Sequence, residues 1–526
     1  MSIQGIIYVI STLILMVSFI LIKKIGRKIN IVSMIGVTIL LDLCYNAFLC
    51  YLLTFFNISN NLYTLSIINL LISAIFIVKI VKKKKNNEKN DNQIDNNKNE
   101  ILKSEENVNK ENINAKKKNI QTYYIDKLDV FAVIVLCIIT VTVGIINFGI
   151  PFNIKYESGD SSVHFLSSIK FMQDEELLTD SEDEVYDFSV RKFASYVNSG
   201  LLMKCFENKI DIEDNYIIFI LFGIFVLFLT GCLLYIVLTR FIKSNNNKIL
   251  ALIFSVVCTL GYPLNSLLFG FEYMSLGLAI MLGIIEIILL CAKDKMKLLY
   301  MIISLFLLNF GLFCSYYMFV PFIYAAEWIY FCIYNYRKNK KIFTKNNVLV
   351  LSITLILPFI LGYIYHFMPN IYQILKNADV NSNVNIAKQT LENGFKTGGY
   401  IYTNLYSNFI LLIPFSLYVI FKKFKENTLL SLMFIFNILF ILILYIGNKF
   451  EQVSDYYLAK NYFTLWILMF ILNFRGFMYI YEQYKRLLYT LISIYILISV
   501  VYVAVWQVNI SNEKIKEKES IFNIMD

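Results

Sequence analysis

The sequence predicts an all-α, polytopic transmembrane helical protein of about fourteen spans, and three observations carry that expectation. Of its 526 residues, 58% are apolar and 16% charged, with a mean hydropathy of +0.60. That is too greasy for a soluble globule of this length. The apolar residues fall into runs of about 20, the length at which a helix crosses the hydrocarbon core of a bilayer. Between the runs, dense Lys and Arg clusters recur on one side of the chain's path, the bias that keeps basic connectors in the cytoplasm.

The net charge of +10 therefore reports orientation, and no nucleic-acid partner is expected. All nine cysteines except Cys205 fall within expected spans, where Cys acts as a small apolar residue. None shows a disulfide or Cys/His metal spacing. The first 22 residues lack the basic leading region of a cleavable signal. Abundant Ile, Asn and Lys fit an AT-rich bacterial genome, and with it a multi-pass protein of a bacterial plasma membrane.

Taken in order, the first span is expected at 3–22, with Lys23, Lys24, Arg27 and Lys28 marking its cytoplasmic end. The second covers 31–56 and the third 62–80, with lysines at 82–85 again inside. Residues 82–127 are Asn, Lys and Glu with few core-forming side chains, so they cannot bury enough surface to offset ordering entropy. They read as a disordered cytoplasmic linker between a three-span extension at 1–81 and a module at 128–510, with a charged tail at 511–526.

The fourth span, 130–150, leads into the longest polar interval, 150–215. The fifth, 216–238, returns to Arg240 and Lys243, and the sixth, 249–269, leads to a tight turn at Gly270-Phe-Glu272-Tyr. The seventh ends at a basic cluster, 293–297. About 39 nearly uncharged residues from 298 to 336 make two spans with a buried turn near 314–317. The tenth, 348–367, leads to a second outer loop at 368–403, and the eleventh returns to lysines at 422–425. The twelfth, 429–446, precedes an outer segment running through Asp455 to Lys460, and the thirteenth returns to Arg475, Lys485 and Arg486. The fourteenth covers 487–508. No interrupted span and no internal repeat is expected.

The loop at 150–215 concentrates the candidate chemistry. As a helix, 160–172 gathers Phe165, Leu166, Ile169 and Met172 on one face and Asp160, His164 and Ser167 on the other, a juxtamembrane amphipathic pattern. A second amphipathic segment is expected at 184–206, with Arg191 and Lys192 in its first half. A hydroxyl that displaces a lipid-linked phosphate needs a base, for which Asp160 or Glu157 is the candidate. The departing phosphate needs cations, for which Arg191, Lys192 and Lys460 are candidates, or a divalent cation such as Mg or Mn.

The chain's two histidines both fall at the outer face, His164 as a candidate for catalysis and His366 as a candidate for substrate or phosphate binding. Each candidate also has a plainer role: Asp160 as a helix cap, His164 as a satisfied surface histidine, Lys460 as an interfacial anchor beside Tyr456 and Tyr457. Asp174 and Glu175 are candidate metal ligands against the alternative of a solvated acidic face. Within the spans, Asp42 and Glu327 are costly to bury and thus functional candidates.

A span, then a long acidic outer loop opening Glu157-Ser-Gly-Asp160-Ser-Ser-Val-His164 with juxtamembrane helices, then many spans with short connectors, resembles the GT-C superfamily of membrane glycosyltransferases. The resemblance covers about 130–508, and here the acidic loop follows the fourth span. It implies a polyprenyl-phosphate or polyprenyl-diphosphate sugar donor, Asp160 and then Glu157 as the catalytic or metal-associated acid, and Lys460 toward lipid phosphate. The expected activity is sugar transfer to a cell-envelope glycan or lipid, among membrane lipids and envelope-biosynthesis partners. A lipid-linked saccharide flippase would instead want Asp42, Glu286 and Glu327 around one midplane cavity. A polysaccharide polymerase or ligase would want its largest loop late and rich in Arg, and a non-enzymatic scaffold would use the cytoplasmic linker to bind.

Overall fold

The computed structural model describes residues 1–22, 30–101, 126–152, 160–177, 193–206, 211–242, 247–292, 298–363, 413–450 and 455–481, with a few single residues between them. The described residues are helical with no strand, and eleven helical segments are long and apolar enough to cross a membrane. The first three expected spans are α1 (Ile3–Ile22), α2 (Ile31–Phe55) and the start of α3 (Leu62–Ile101). The fourth is α4 (Lys127–Phe148), and the long loop holds α5 (Asp160–Asp174) and α6 (Phe193–Lys204). The fifth is α7 (Ile212–Thr239). The second outer loop at 368–403, the fourteenth span and the tail at 511–526 lie outside the described residues.

Prolines interrupt two of the spans that read as continuous, the sixth and the tenth, and a third proline follows the turn expected near 314–317. The sixth is two helices, α8 (Lys248–Thr259) and α9 (Tyr262–Leu268), parted at Gly261 with Pro263 in the first turn of α9. After α10 (Glu272–Ala292), the stretch at 298–336 is α11 (Leu298–Tyr316), a 3₁₀ turn and α12 (Val320–Asn339), with Pro321 opening α12. It folds back as a hairpin, since Tyr324 Oη donates to the Asn309 carbonyl at 3.0 Å and Asn309 Nδ2 donates to Glu327 at 3.2 Å. The tenth span is α13 (Lys345–Leu351) and α14 (Leu357–Gly362), joined through a π turn at Ser352–Ile356 before Pro358. Proline removes a backbone donor and crowds the preceding turn. Here Asn309 Nδ2 bonds the Thr354 carbonyl at 2.8 Å, supplying a partner inside the π turn. The chain continues with α15 (Ile413–Lys422), α16 (Thr428–Lys449), α17 (Asp455–Lys460) and α18 (Tyr462–Tyr481).

The centre of the bundle is α7, α10 and α11, and α2 packs into it against α6, α7 and α11. The three-span extension, separate in sequence, is thus joined to the rest in packing. Small residues make this possible: a Cβ on Gly36 would stand 3.3 Å from Ile236, and one on Gly311 only 2.5 Å from the Cys44 sulfur. Between membrane helices, where lipid is as apolar as Leu, such close backbone approach is a main source of association.

Polar groups collect at the two ends. At the end carrying the basic connectors, Lys248 bonds Asp126 at 2.5 Å and Asp129 at 2.9 Å, and Tyr235 donates to Asp129 at 2.6 Å. The hydrogen bond from Lys248 holds the Asp126 carboxyl below the usual carboxylate range. Arg240 forks onto the fully buried Glu286, and Ser33 donates to the same carboxylate at 2.7 Å, tying α2, α7 and α10 together.

At the opposite end, the amphipathic expectation for the loop needs correction. Neither α5 nor α6 lies with a polar face in solvent. In α6, eleven of the twelve residues are buried, and in α5 His164, Ser167 and Ser168 are as covered as Phe165. The polar stripe is a helix–helix seam: Ser168 and Ser199 hydroxyls bond at 2.8 Å, and Asn198 Nδ2 reaches the Leu43 carbonyl of α2 at 3.0 Å. A Cβ on Gly200 would sit 2.9 Å from the Ser168 carbonyl oxygen. Gly200→Val is therefore expected to destabilise the protein by about 1–3 kcal/mol through overpacking, read as a lowered unfolding midpoint in detergent.

Candidate functional site

The site grows from the seam between α5 and α6. Asp160, first residue of α5, and His164 one turn later occupy one helix face. The Asp160 side chain lies outside the described residues, as do Glu157, Arg191, Lys192 and His366. The backbone at Asp160 is nonetheless fixed in place by its neighbour. Gly270 adopts φ +70°, and a Cβ there would fall 2.5 Å from the Ser161 Cβ, so the first turn of α5 closes on the 269–272 turn. That turn ends in Glu272, fully buried in the first turn of α10, where the helix dipole favours a negative charge.

From this contact a chain of polar and aromatic groups crosses the bundle end. His164 Nδ1 and the Tyr196 hydroxyl of α6 share a 2.7 Å hydrogen bond, and the His164 ring meets Tyr273 of α10 edge-on at 4.8 Å. The Tyr273 hydroxyl accepts from Lys460 Nζ of α17 at 2.6 Å. That ammonium also sits 3.8 Å from the centre of the Phe271 ring, a cation–π contact. Tyr316, at the far end of α11, packs on Tyr273 with ring centres 5.7 Å apart.

Two residues chosen from sequence, His164 and Lys460, are thus brought together although 296 positions apart by number, and only 5% and 1% exposed. Chemically, the arrangement offers an imidazole oriented through Nδ1, a cation in a water-poor setting where electrostatics are strong, and a helix start carrying a carboxylate residue.

Asp174 and Glu175 lie at the other end of α5. Asp174 pairs with Lys170 at 2.9 Å, and Glu175 with Lys204 at 2.6 Å and with the Ser59 hydroxyl. Burial works against the ionised Glu175 carboxylate, but its bonds to Lys204 and Ser59 outweigh that and hold it below the usual range. Among the described residues, no group of three or more His, Cys, Asp or Glu has the arrangement of a metal site.

Tyr196, Phe271, Glu272 and Tyr273 were not singled out by sequence reasoning. The available signal was the Gly270-Phe-Glu272-Tyr turn, a Gly and an acid set between two spans at the same end as His164. Asp42, Glu286 and Glu327 do not share one environment: Asp42 bonds Asn46 at 3.4 Å, Glu286 holds Arg240, and Glu327 accepts from Asn309. No protein-family model matches the chain, and no curated protein matches it.

Proposed function

We propose that this protein is a membrane glycosyltransferase that moves a sugar from a polyprenyl-phosphate or polyprenyl-diphosphate donor to a cell-envelope acceptor, on the outer face of a bacterial plasma membrane. The observation that carries the reading is the convergence of His164, Tyr196, Tyr273 and Lys460 at the bundle end remote from the basic connectors. The helix that begins at Asp160 is seated against the same turn. In this reading the carboxylate at Asp160, or at Glu157 before it, takes the proton of the acceptor hydroxyl as that oxygen attacks the sugar. Lys460 stabilises the phosphate charge that develops as the sugar leaves. Tyr273 and Phe271 hold the ammonium in place, and Tyr196 fixes the orientation of His164.

Flippase chemistry is less well supported, because the three intramembrane acids it would use engage separate partners. The test is transfer of labelled sugar from a synthetic polyprenyl-phosphate donor to envelope acceptor by the full chain in membranes. Asp160→Asn and Glu157→Gln, each expressed at the wild-type level, are compared with the parent. Loss of transfer by about 100-fold or more in at least one variant is expected, and full activity in both removes the proposal.

A further inference from the structure

The helix pair that carries His164 and Tyr196 is gripped by the three-span extension along its whole length. At the end of α5, the connector between α2 and α3 closes over Glu175. Asn60 N–H donates to the Glu175 carbonyl at 2.8 Å, the Ser59 hydroxyl donates to its carboxylate, and Leu177 N–H donates to Thr54 Oγ1 at 3.3 Å. At the end of α6, the N–H and hydroxyl of Ser2 both donate to the Cys205 carbonyl, at 2.8 and 3.3 Å. In the middle of α6, Asn46 Nδ2 of α2 donates to Asn198 Oδ1 at 3.2 Å, and Asn198 Nδ2 returns a bond to the Leu43 carbonyl at 3.0 Å. Tyr8 of α1 donates to Asn46 Oδ1 at 3.2 Å, so one ladder of side chains runs from α1 through α2 to α6.

Packing follows the same lines. A Cβ on Gly5 would fall 2.6 Å from the Cys205 Cα, so α1 lies as close to α6 as it does because residue 5 has no side chain. Tyr51 of α2 stacks over Phe193 of α6 with ring centres 6.5 Å apart. Asn46, Asn198 and Cys205 are all buried. Close backbone approach and hydrogen bonds between helices are what associate membrane helices, and a buried group that loses its partner has no water to replace it. Toward the basic connectors, Asn30, which caps α2, donates to Asp129 of α4, and Ser33 donates to Glu286 of α10. The extension is therefore bonded at both ends of α2, through contacts that do not involve the 102–125 stretch.

We propose that α1–α3 is a subunit-like clamp, which binds the rest of the chain without help from the covalent connection and holds α5 and α6 in register. The surface it fits is the face that α5 and α6 turn toward α1 and α2. Tyr196 stands two residues before Asn198, so the clamp also sets where Tyr196 meets His164. The proposal rests on these contacts and stands whether or not sugar transfer does.

The test places a protease site between Val108 and Asn109 of the full chain, tagged at its N-terminus, and cuts it after purification in detergent. A short flexible tether holds two pieces together at about millimolar effective concentration. A pair that relies on the tether therefore separates when the cut protein is diluted to nanomolar concentration and recaptured on the tag. The clamp predicts that 109–526 is recovered with the tagged fragment, and its loss to the wash overturns the proposal. Cys205, 1% exposed beneath Ser2 and Gly5, then reports on the contact itself, with maleimide labelling of its peptide read by mass spectrometry. In the cut protein, Asn46→Leu, which keeps the volume and deletes the amide, should speed that labelling about tenfold, the worth of one or two buried hydrogen bonds. Gly5→Val should speed it at least as much. Labelling at the cut parent's rate in both variants overturns the proposal, and recovery of the cut parent decides the matter even if neither variant folds.

Discussion

Lys460→Met is expected to slow sugar transfer by about 100- to 1,000-fold, the range for removing one preorganised stabiliser of transition-state charge. The ammonium is 1% exposed, bonded to Tyr273 and set on the face of Phe271. Burying an ammonium costs several kcal/mol, and relief of that cost offsets the loss of its bond to the Tyr273 hydroxyl, so the unfolding midpoint should move little. Measured together, turnover per folded protein and the unfolding midpoint separate chemistry from architecture. If Lys460 only anchors α17, the midpoint falls and the folded fraction turns over at the parent rate.

Glu286→Ala should have the largest effect on stability, about 3–5 kcal/mol, the cost of breaking a buried ion pair from one side. The carboxylate is fully buried and receives Arg240 Nε at 3.0 Å and Ser33 Oγ at 2.7 Å. Its loss strands a guanidinium that is 11% exposed at the junction of α2, α7 and α10. Paired replacement of Arg240 by Met and Glu286 by Leu should recover much of the loss, because no charge is then left behind. Denaturant unfolding in detergent reads both, and a wild-type midpoint in Glu286→Ala would show that the pair contributes little.

The spans were legible because each is a long apolar run bounded by charge, and that pattern is dictated by the bilayer alone. The breaks at Pro263 and Pro358 were less so, since neighbouring helices and side chains such as Asn309 decide whether a proline interrupts a membrane helix. The burial of α5 and α6 was hidden by the period of the pattern itself. A stripe of Ser and His on α5 reads as a solvated face until a second stripe of Ser, Asn and Tyr on α6 is found to cover it. His164 and Lys460 could be nominated singly from their place at the same face. Their connection through Tyr273 could not, because it depends on how the turn at Gly270 meets Ser161. Lys204 and Lys170, which pair with Glu175 and Asp174, were passed over for a related reason: an acidic run in sequence carries no sign of its partners in space.

Everything proposed for His164, Lys460 and Asp160 requires that their end of the bundle face away from the cytoplasm. Gln173→Cys, at the exposed end of α5, and Ser244→Cys, in the exposed connector after α7, report on the two ends directly. With a membrane-impermeant maleimide on intact cells, the Gln173→Cys variant is expected to label above the background of the native cysteines, and the Ser244→Cys variant only after the membrane is opened. The reverse pattern would put the His164–Lys460 cluster in the cytoplasm and contradict an outer-face transferase.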